Sequence, residues 1–152
     1  MFLVKDKSEE REERILEFLD NEYPIAVLLA VIHFEWTIRR AIISLSNKPN
    51  KIIREDLGRI SGIDKYKEYW NKNISQCNGF QTLPELIPDW SLVIEATKLR
   101  NRLVHGVSSC PKKTAVLSVE AIIKASGVIR DFCIKNNIDL EKRLKIKRKV
   151  KI

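Results

Sequence analysis

The sequence predicts an all-α fold, an up-and-down bundle of four to five helices. In most segments the apolar residues recur at steps of three and four, which places them on one side of a helix. Prolines fall at the starts of these segments or between them, where helices tolerate them. A period of two, typical of a strand, occurs only near the C-terminus. We expect one helical domain over residues 1–138, followed by a basic tail over residues 139–152.

The first two helices are predicted from their caps and their apolar steps. Ser8 can cap a helix that runs to about Asp20, with four glutamates near its positive N-terminal end. Pro24 then opens the longest helix, which runs to about Leu45. Its apolar residues step by four and three without a break, at Val27, Val31, Phe34, Ile38, Ala41 and Leu45. Because its flanks are apolar as well, this helix is either a central strut or half of a dimer interface.

The rest of the chain predicts a short helix, a polar helix, a crossover and two long helices. Residues 51–60 predict the short helix, and Asp64 caps the polar helix, which ends near Lys72. Its aromatic residues either pack on a neighbouring helix or stack on unpaired bases, and they are Tyr66, Tyr69 and Trp70. Residues 73–88 predict an irregular surface crossover. Asp89 caps the next helix, residues 108–113 form a turn, and residues 114–136 form the last helix.

The helix that Asp89 caps is predicted to pack through one apolar stripe. The stripe steps by four, three and four, at Leu92, Ala96, Leu99 and Leu103. The residues that follow this stripe therefore lie on, or at the end of, a packed helix.

The tail carries much of the excess positive charge. The net charge of the chain is +8, and residues 139–152 hold seven Lys or Arg against two acids. Such a tail either binds a polyanion such as RNA or is simply a solvated surface. Its apolar residues alternate with lysines from Leu144 to Ile152, which predicts a strand paired with Phe2–Val4; a basic extension is the alternative.

Composition argues against several other classes of protein. The N-terminus is a charge run without the apolar core of a signal peptide, and the longest apolar run, from Ile25 to Ile32, is too short to span a membrane. We therefore expect a cytoplasmic protein with no membrane partner. The three cysteines form no CxxC pair and no Cys/His cluster, so we expect neither a metal site nor a cofactor.

The segment KLRNRLVHG, residues 98–106, holds the candidate chemistry. Arg100 and His105 are five residues apart, which on a straight helix would separate their directions by about 140°. If both act on one substrate, the helix must end or bend between them, and Gly106 permits such an end. Histidine can transfer protons at neutral pH, arginine can hold two phosphate oxygens, and the amide of Asn101 can orient either one.

An Arg, an adjacent Asn, three more residues and a His at the end of an amphipathic helix resemble the signature of the HEPN superfamily. The apolar helix "AVIHFEWTIRRAII" is also similar to a helix of some bacterial members. The resemblance implies an all-helical ribonuclease that needs no metal and leaves a 2′,3′-cyclic phosphate and a 5′-hydroxyl. It further implies a homodimer with its motifs near the interface, a role as toxin or defence effector, and a cognate inhibitor protein. The catalytic residues would be Arg100, Asn101 and His105.

The remaining basic residues give the candidate RNA contacts and their alternatives. Residues expected to bind RNA or to support the site are Lys98, Arg102, Glu35, Arg39, Lys145, Lys147 and Arg148. Glu35 and Arg39 instead form a helix-surface ion pair in the simpler interpretation. For the motif, the simpler interpretation is a helix end at which the arginines and His105 interact with free carbonyls. His33 is expected to be packed and hydrogen-bonded. A non-catalytic RNA-binding module and a helical protein-interaction module remain alternatives.

Overall fold

The computed structural model describes residues 7–107 and 109–148, and these residues form an all-α protein, as predicted. A π-helical segment, Asn71–Ser75, connects α4 to α5. The helices are α1 (Ser8–Phe18), α2 (Tyr23–Leu45), α3 (Asn50–Leu57), α4 (Ile63–Trp70), α5 (Gln76–Asn78), α6 (Leu83–Leu86), α7 (Trp90–Val104) and α8 (Lys112–Lys135). No described residue belongs to a strand. Of the predicted terminal hairpin, Phe2–Val4 and residues 149–152 lie outside the described residues.

The chain divides into two compact units, each built from segments that are distant in sequence. The first comprises residues 7–36 and 89–127 of the described chain, and the second comprises residues 37–88 and 128–148. The division falls within α2 and α8, so each of these helices has one part in the first unit and the other part in the second. Within the described ranges, no helix combines the length and the apolar character that crossing a membrane requires.

Helix α7 packs in the first unit through a face slightly different from the predicted one. Its buried residues are Val93, Ala96, Thr97 and Leu99. The apolar steps place Leu92 on the packed stripe, but Leu92 is 44% exposed. The prediction is therefore wrong at this position. The steps of three and four fit both Leu92 and Val93, and these neighbours differ by about 100° around the helix. Periodicity alone therefore could not choose between them.

His33 connects α2 to α1 within the first unit. It is only 1% exposed, and its Nδ1 accepts a hydrogen bond from Nε of Arg11 at 3.2 Å. Because a guanidinium can only donate, Nδ1 carries no proton, and Nε2 donates to Glu12 Oε1 at 3.4 Å. Arg11 also lies over the ring of Trp36, 4.0 Å from its centroid. The prediction of a packed, hydrogen-bonded histidine is confirmed.

The second unit has an aromatic core around α4. Trp70 is fully buried, and its Nε1 donates to the Gln81 carbonyl at 3.0 Å. Its ring lies 6.1 Å from that of Phe132, which also meets Phe80 edge to face at 5.2 Å. Tyr66 is buried as well, and Arg39 donates to its hydroxyl at 2.9 Å. Packing is thus the observed role of Tyr66 and Trp70.

The prediction of an irregular crossover over residues 73–88 is wrong for more than half of it. Residues 73–78 continue the helix that begins at Ile63, and Leu83–Leu86 adds another turn. The side-chain amides of Asn73 and Asn78 donate to the carbonyls of Tyr69 and Ile74, four residues earlier. Gly79, with φ of 69°, then ends the helix. Because asparagine usually favours non-helical turns, the sequence predicted an irregular segment where the chain is helical.

The described part of the tail is held against α2 and α3 through its backbone carbonyls. Arg40 donates to the Leu140 carbonyl at 3.0 Å and to the Lys142 carbonyl at 2.8 Å. The side-chain amide of Asn50 donates to the Lys145 carbonyl at 3.0 Å. In return, Lys147 Nζ donates to the Ile43 carbonyl at 2.6 Å and to the Ser46 carbonyl. Lys147 therefore caps the C-terminal end of α2, where a positive charge is favourable.

We expect Lys147→Ala to lower the free energy of unfolding by about 1–2 kcal/mol, because it removes charge-assisted hydrogen bonds to the end of α2. Lys145→Ala is the matched control, because the Lys145 side chain is exposed and Asn50 binds only the backbone carbonyl of this residue. That control should stay within about 0.5 kcal/mol of the unmodified chain. Urea denaturation monitored by circular dichroism measures both, and equal losses would contradict the capping role.

Candidate functional site

The end of α7 determines where the residues of the motif point. His105 occupies the C-cap position, with φ of −86° and ψ of 2°, and its N–H bonds the Asn101 carbonyl at 3.1 Å. Gly106 then takes a left-handed conformation with φ of 66°. Its N–H bonds the Leu103 carbonyl at 3.2 Å, and that of Val107 bonds the Arg102 carbonyl at 3.0 Å. This pair of bonds is a Schellman motif, which closes the helix one residue beyond His105.

Arg100 lies on the inner side of α7 and pairs with α2. Its Nη2 donates to Glu35 Oε1 at 3.0 Å, and both side chains are 26% exposed. The sequence allows two interpretations of Glu35, and the structure shows that its carboxylate reaches Arg100. The Nε of Arg100 is buried and has no hydrogen-bond partner among the described residues. The guanidinium is thus held in place by Glu35 while one of its donors remains unused.

A different set of motif residues shares the outer face of the same helix. Lys98, Asn101, Arg102 and His105 follow at i, i+3, i+4 and i+7, and all four are exposed. We call this set the outer α7 face. Lys98 pairs with Glu95 at 3.4 Å. Within residues 7–107 and 109–148, the side chains of Asn101, Arg102 and His105 have neither a hydrogen bond nor an ion pair, so they are available to a ligand.

The structure therefore does not bring Arg100 and His105 together within one chain. The predicted bend between them is absent, because helical hydrogen bonding continues through His105 and the left-handed residue is Gly106. On such a helix the two side chains leave the axis about 140° apart. Gly106 ends the helix as predicted, but it does so too late to swing His105 toward Arg100. The His105 side chain bonds no carbonyl among the described residues; the N–H groups of Gly106 and Val107 bond the carbonyls of Leu103 and Arg102. Arg102 lies in the last turn of α7, where its charge complements the helix dipole, as the simpler interpretation expects.

The other predicted RNA contacts lie in the second unit and differ in availability. Arg39 is engaged by the Tyr66 hydroxyl and the Leu57 carbonyl, and Lys147 by the end of α2. Burial lowers the pKa of Lys147, which is consistent with this enclosed ammonium. Lys145 and Arg148 have exposed side chains. Their RNA contacts stay predictions.

A groove between α3 and α4 was not predicted from the sequence, although Tyr69 was singled out as a residue that could stack on bases. The groove encloses about 720 Å³ and is lined by Lys48, Asp56, Arg59, Lys65, Tyr69 and Lys72, among others. Asp56 and Tyr69 are 13 residues apart, a spacing that gives no local signal.

The described part of the chain holds no group of three or more His, Cys, Asp or Glu residues suited to a metal ion.

Comparisons of the chain with protein-family models, with curated proteins and with solved structures gave no match in any of the three.

We expect Gly106→Ala to lower the free energy of unfolding by about 1–2 kcal/mol, because a Cβ is unfavourable in the left-handed conformation. Steric overlap adds nothing, since an added Cβ meets no atom within 4 Å. Gly106→Asn should cost less, because asparagine tolerates this conformation.

Gly58→Ala is the matched control, since Gly58 also ends a helix but has φ of −67°. Its added Cβ would lie 3.4 Å from the nearest carbonyls, an acceptable contact. Urea denaturation measures all three variants. If Gly106→Ala costs no more than Gly58→Ala, the left-handed end of α7 is wrong.

Proposed function

We propose that the protein is a metal-independent endoribonuclease of the HEPN type that cleaves single-stranded RNA. The observation that supports this most is the exposed, unpartnered imidazole of His105 beside Asn101 and Arg102 on the outer α7 face. The packed His33, by contrast, has both of its ring nitrogens hydrogen-bonded within the protein. The proposal includes a cytoplasmic location, which follows from the charged N-terminus and the short apolar run. It also includes a role as toxin or defence effector and a cognate inhibitor protein, both of which come from the resemblance.

The chemistry follows from what each side chain can do. His105 accepts the proton of the RNA 2′-hydroxyl, and the 2′-oxygen attacks the adjacent phosphorus. The bond from phosphorus to the 5′-oxygen breaks, and that oxygen takes a proton from water, leaving a 2′,3′-cyclic phosphate and a 5′-hydroxyl. The protonated His105 then returns its proton to the solvent. Arg102 and Lys98 neutralise the charge that builds on the phosphate oxygens, and Asn101 orients the phosphate or the imidazole.

Arg100 enters this scheme through a second copy of the chain. Within one chain it is held by Glu35 and is directed away from His105. A homodimer in which two copies bring their motifs together would place one chain's Arg100 near the other chain's His105. Glu35 then acts as a positioning residue: its carboxylate holds the Arg100 guanidinium until an RNA phosphate binds the guanidinium in its place.

An exposed apolar face of α2 supports such a dimer. Ile25 and Ile32 are 40% and 51% exposed, and residues 24–34 contain no Asp, Glu, Lys or Arg. Together with the partly exposed Leu29 and Trp36 they form one stripe on the helix. An uncharged stripe suits a second copy of itself, since interface cores are depleted of charge. Glu35 lies on the same helix, less than one turn beyond Ile32, so the stripe adjoins the site.

A second candidate function is RNA binding without cleavage. It is favoured by the position of Arg100, which is paired with a carboxylate and lies about 140° from His105 around the helix. In that case the outer α7 face would bind phosphates through Arg102 and Lys98, and His105 would contribute no proton transfer.

We expect His105→Ala to reduce cleavage of a mixed single-stranded RNA at least about 100-fold in EDTA, because proton transfer is lost. RNA affinity should stay within about threefold, since Arg102 and Lys98 remain. Val107→Ala, a neighbouring exposed residue without polar chemistry, is the control and should cleave normally. Cleavage that survives in His105→Ala would exclude the proposed mechanism, and salt-dependent binding without any cleavage by the unmodified chain would establish the second candidate.

We expect Ile32→Glu to convert a dimer into monomers, because it places a charge in the middle of the apolar stripe. Light scattering after size-exclusion chromatography measures the mass, and RNA cleavage should fall in parallel. Ile52→Glu, on an exposed position of α3, is the matched control and should leave both unchanged. An unmodified chain that is monomeric at all concentrations tested would contradict the dimer.

A further inference from the structure

The groove between α3 and α4 has the composition of a site for an anionic ligand. We define the basic groove by Lys48, Arg59, Lys65 and Lys72, which line it together with the acids Asp56 and Glu68. Both acids already have partners, since Lys48 pairs with Asp56 at 3.6 Å and Lys65 with Glu68 at 3.3 Å. The side chains of Arg59 and Lys72 are exposed, and neither has a hydrogen-bond or ion-pair partner among the residues described. Their two positive charges are therefore uncompensated.

An aromatic ring is fixed in the wall of this groove. The Tyr69 hydroxyl donates to Asp56 Oδ2 at 2.7 Å, and Lys48 Nζ lies 5.8 Å from the ring centroid. The Tyr69 carbonyl accepts from the Asn73 amide at 3.1 Å, at the point where the π-helical segment begins. Burial and the hydrogen bond to Asp56 raise the pKa of Tyr69, so its hydroxyl stays a donor. The ring is thus held in one orientation before any ligand arrives.

We propose that the basic groove binds single-stranded RNA, with phosphates on Arg59 and Lys72 and a base against the ring of Tyr69. A single strand offers phosphates and flat bases in alternation, which matches cations placed around one aromatic ring. An acidic peptide would satisfy the cations, but its carboxylates do not stack on an aromatic ring as bases do. Because Asp56 already holds the Tyr69 hydroxyl, binding does not have to order the ring, which favours affinity. The groove's volume of about 720 Å³ lies within the range of ligand clefts.

This site belongs to the second unit and does not depend on His105, so it goes beyond the proposed cleavage. It also accounts for positive charge outside the motif and the tail. RNA binding at the basic groove and cleavage at the outer α7 face can therefore fail separately in experiments.

The test uses the full chain and a fluorescein-labelled 12-mer of mixed sequence with 2′-O-methyl riboses, which cannot be cleaved by 2′-hydroxyl attack. We expect the double variant Arg59→Glu/Lys72→Glu to weaken binding at least tenfold in fluorescence anisotropy. The slope of log affinity against log salt should decrease by about 0.7 for each phosphate that the variant no longer neutralises. Lys51→Glu/Lys135→Glu makes the same change of charge at exposed positions of the same unit outside the basic groove. This control should weaken binding less than threefold.

Stacking is tested separately at Tyr69. Tyr69→Leu should weaken binding about fivefold or more, whereas Tyr69→Phe keeps the ring and should bind nearly as well as the unmodified chain. Thermal melting checks that the variants are folded, and Arg59→Ala/Lys72→Ala replaces the glutamate variant if that one is not.

Three outcomes would overturn the proposal. Equal weakening by both charge-reversal doubles would show that only net charge matters. Unchanged affinity in Arg59→Glu/Lys72→Glu would place RNA elsewhere. Displacement of the RNA by poly-glutamate at equal charge concentration would show that the basic groove accepts any polyanion, including an acidic protein.

Discussion

The backbone geometry at the end of α7 controls the candidate site more than any side-chain contact does. Helical hydrogen bonds continue through His105, and Gly106 reverses the chain only afterwards. Once the helix runs that far, the directions of its side chains follow from its 3.6-residue period. Arg100 must face Glu35, and the outer α7 face must face solvent. A helix that ended three residues earlier would have offered a different site with the same sequence motif.

Several charged residues bond backbone carbonyls, and two of them, Lys147 and Arg39, are also candidate RNA contacts. Lys147 binds carbonyls at the end of α2, Arg39 binds the Leu57 carbonyl, and Arg40 holds the tail. Helix ends leave carbonyls without partners, and a nearby cation both bonds them and complements the helix dipole. A basic residue in the sequence is therefore ambiguous until its neighbours are known. The outer α7 face and the basic groove differ from these cases, because they contain cationic side chains that bond no backbone carbonyl.

Local rules predicted several features that depend on neighbours in sequence, although they misplaced two N-caps: Lys7 rather than Ser8 has that position in α1, and Gly62 rather than Asp64 in α4. Pro24 in the first turn of α2, Asp89 at the N-cap of α7 and Gly106 beyond its end were all identified this way. Much of what they missed depends on distant partners. Arg40 and Leu140 are 100 residues apart, and Tyr69 and Asp56 are 13 residues apart. The choice between Leu92 and Val93 also failed, because the period of a helix cannot distinguish adjacent residues at the edge of a stripe.

The separation of Arg100 from His105 sharpens the choice between mechanisms. If cleavage needs that guanidinium, a second chain must supply it, and activity has to depend on the apolar stripe of α2. If Arg102 holds the phosphate, one chain is sufficient, because Arg102 and His105 share a face at i and i+3. The two schemes differ in the role of Glu35, which affects cleavage only in the scheme that uses Arg100. The arginine that contacts phosphate therefore determines whether this site belongs to one chain or to two.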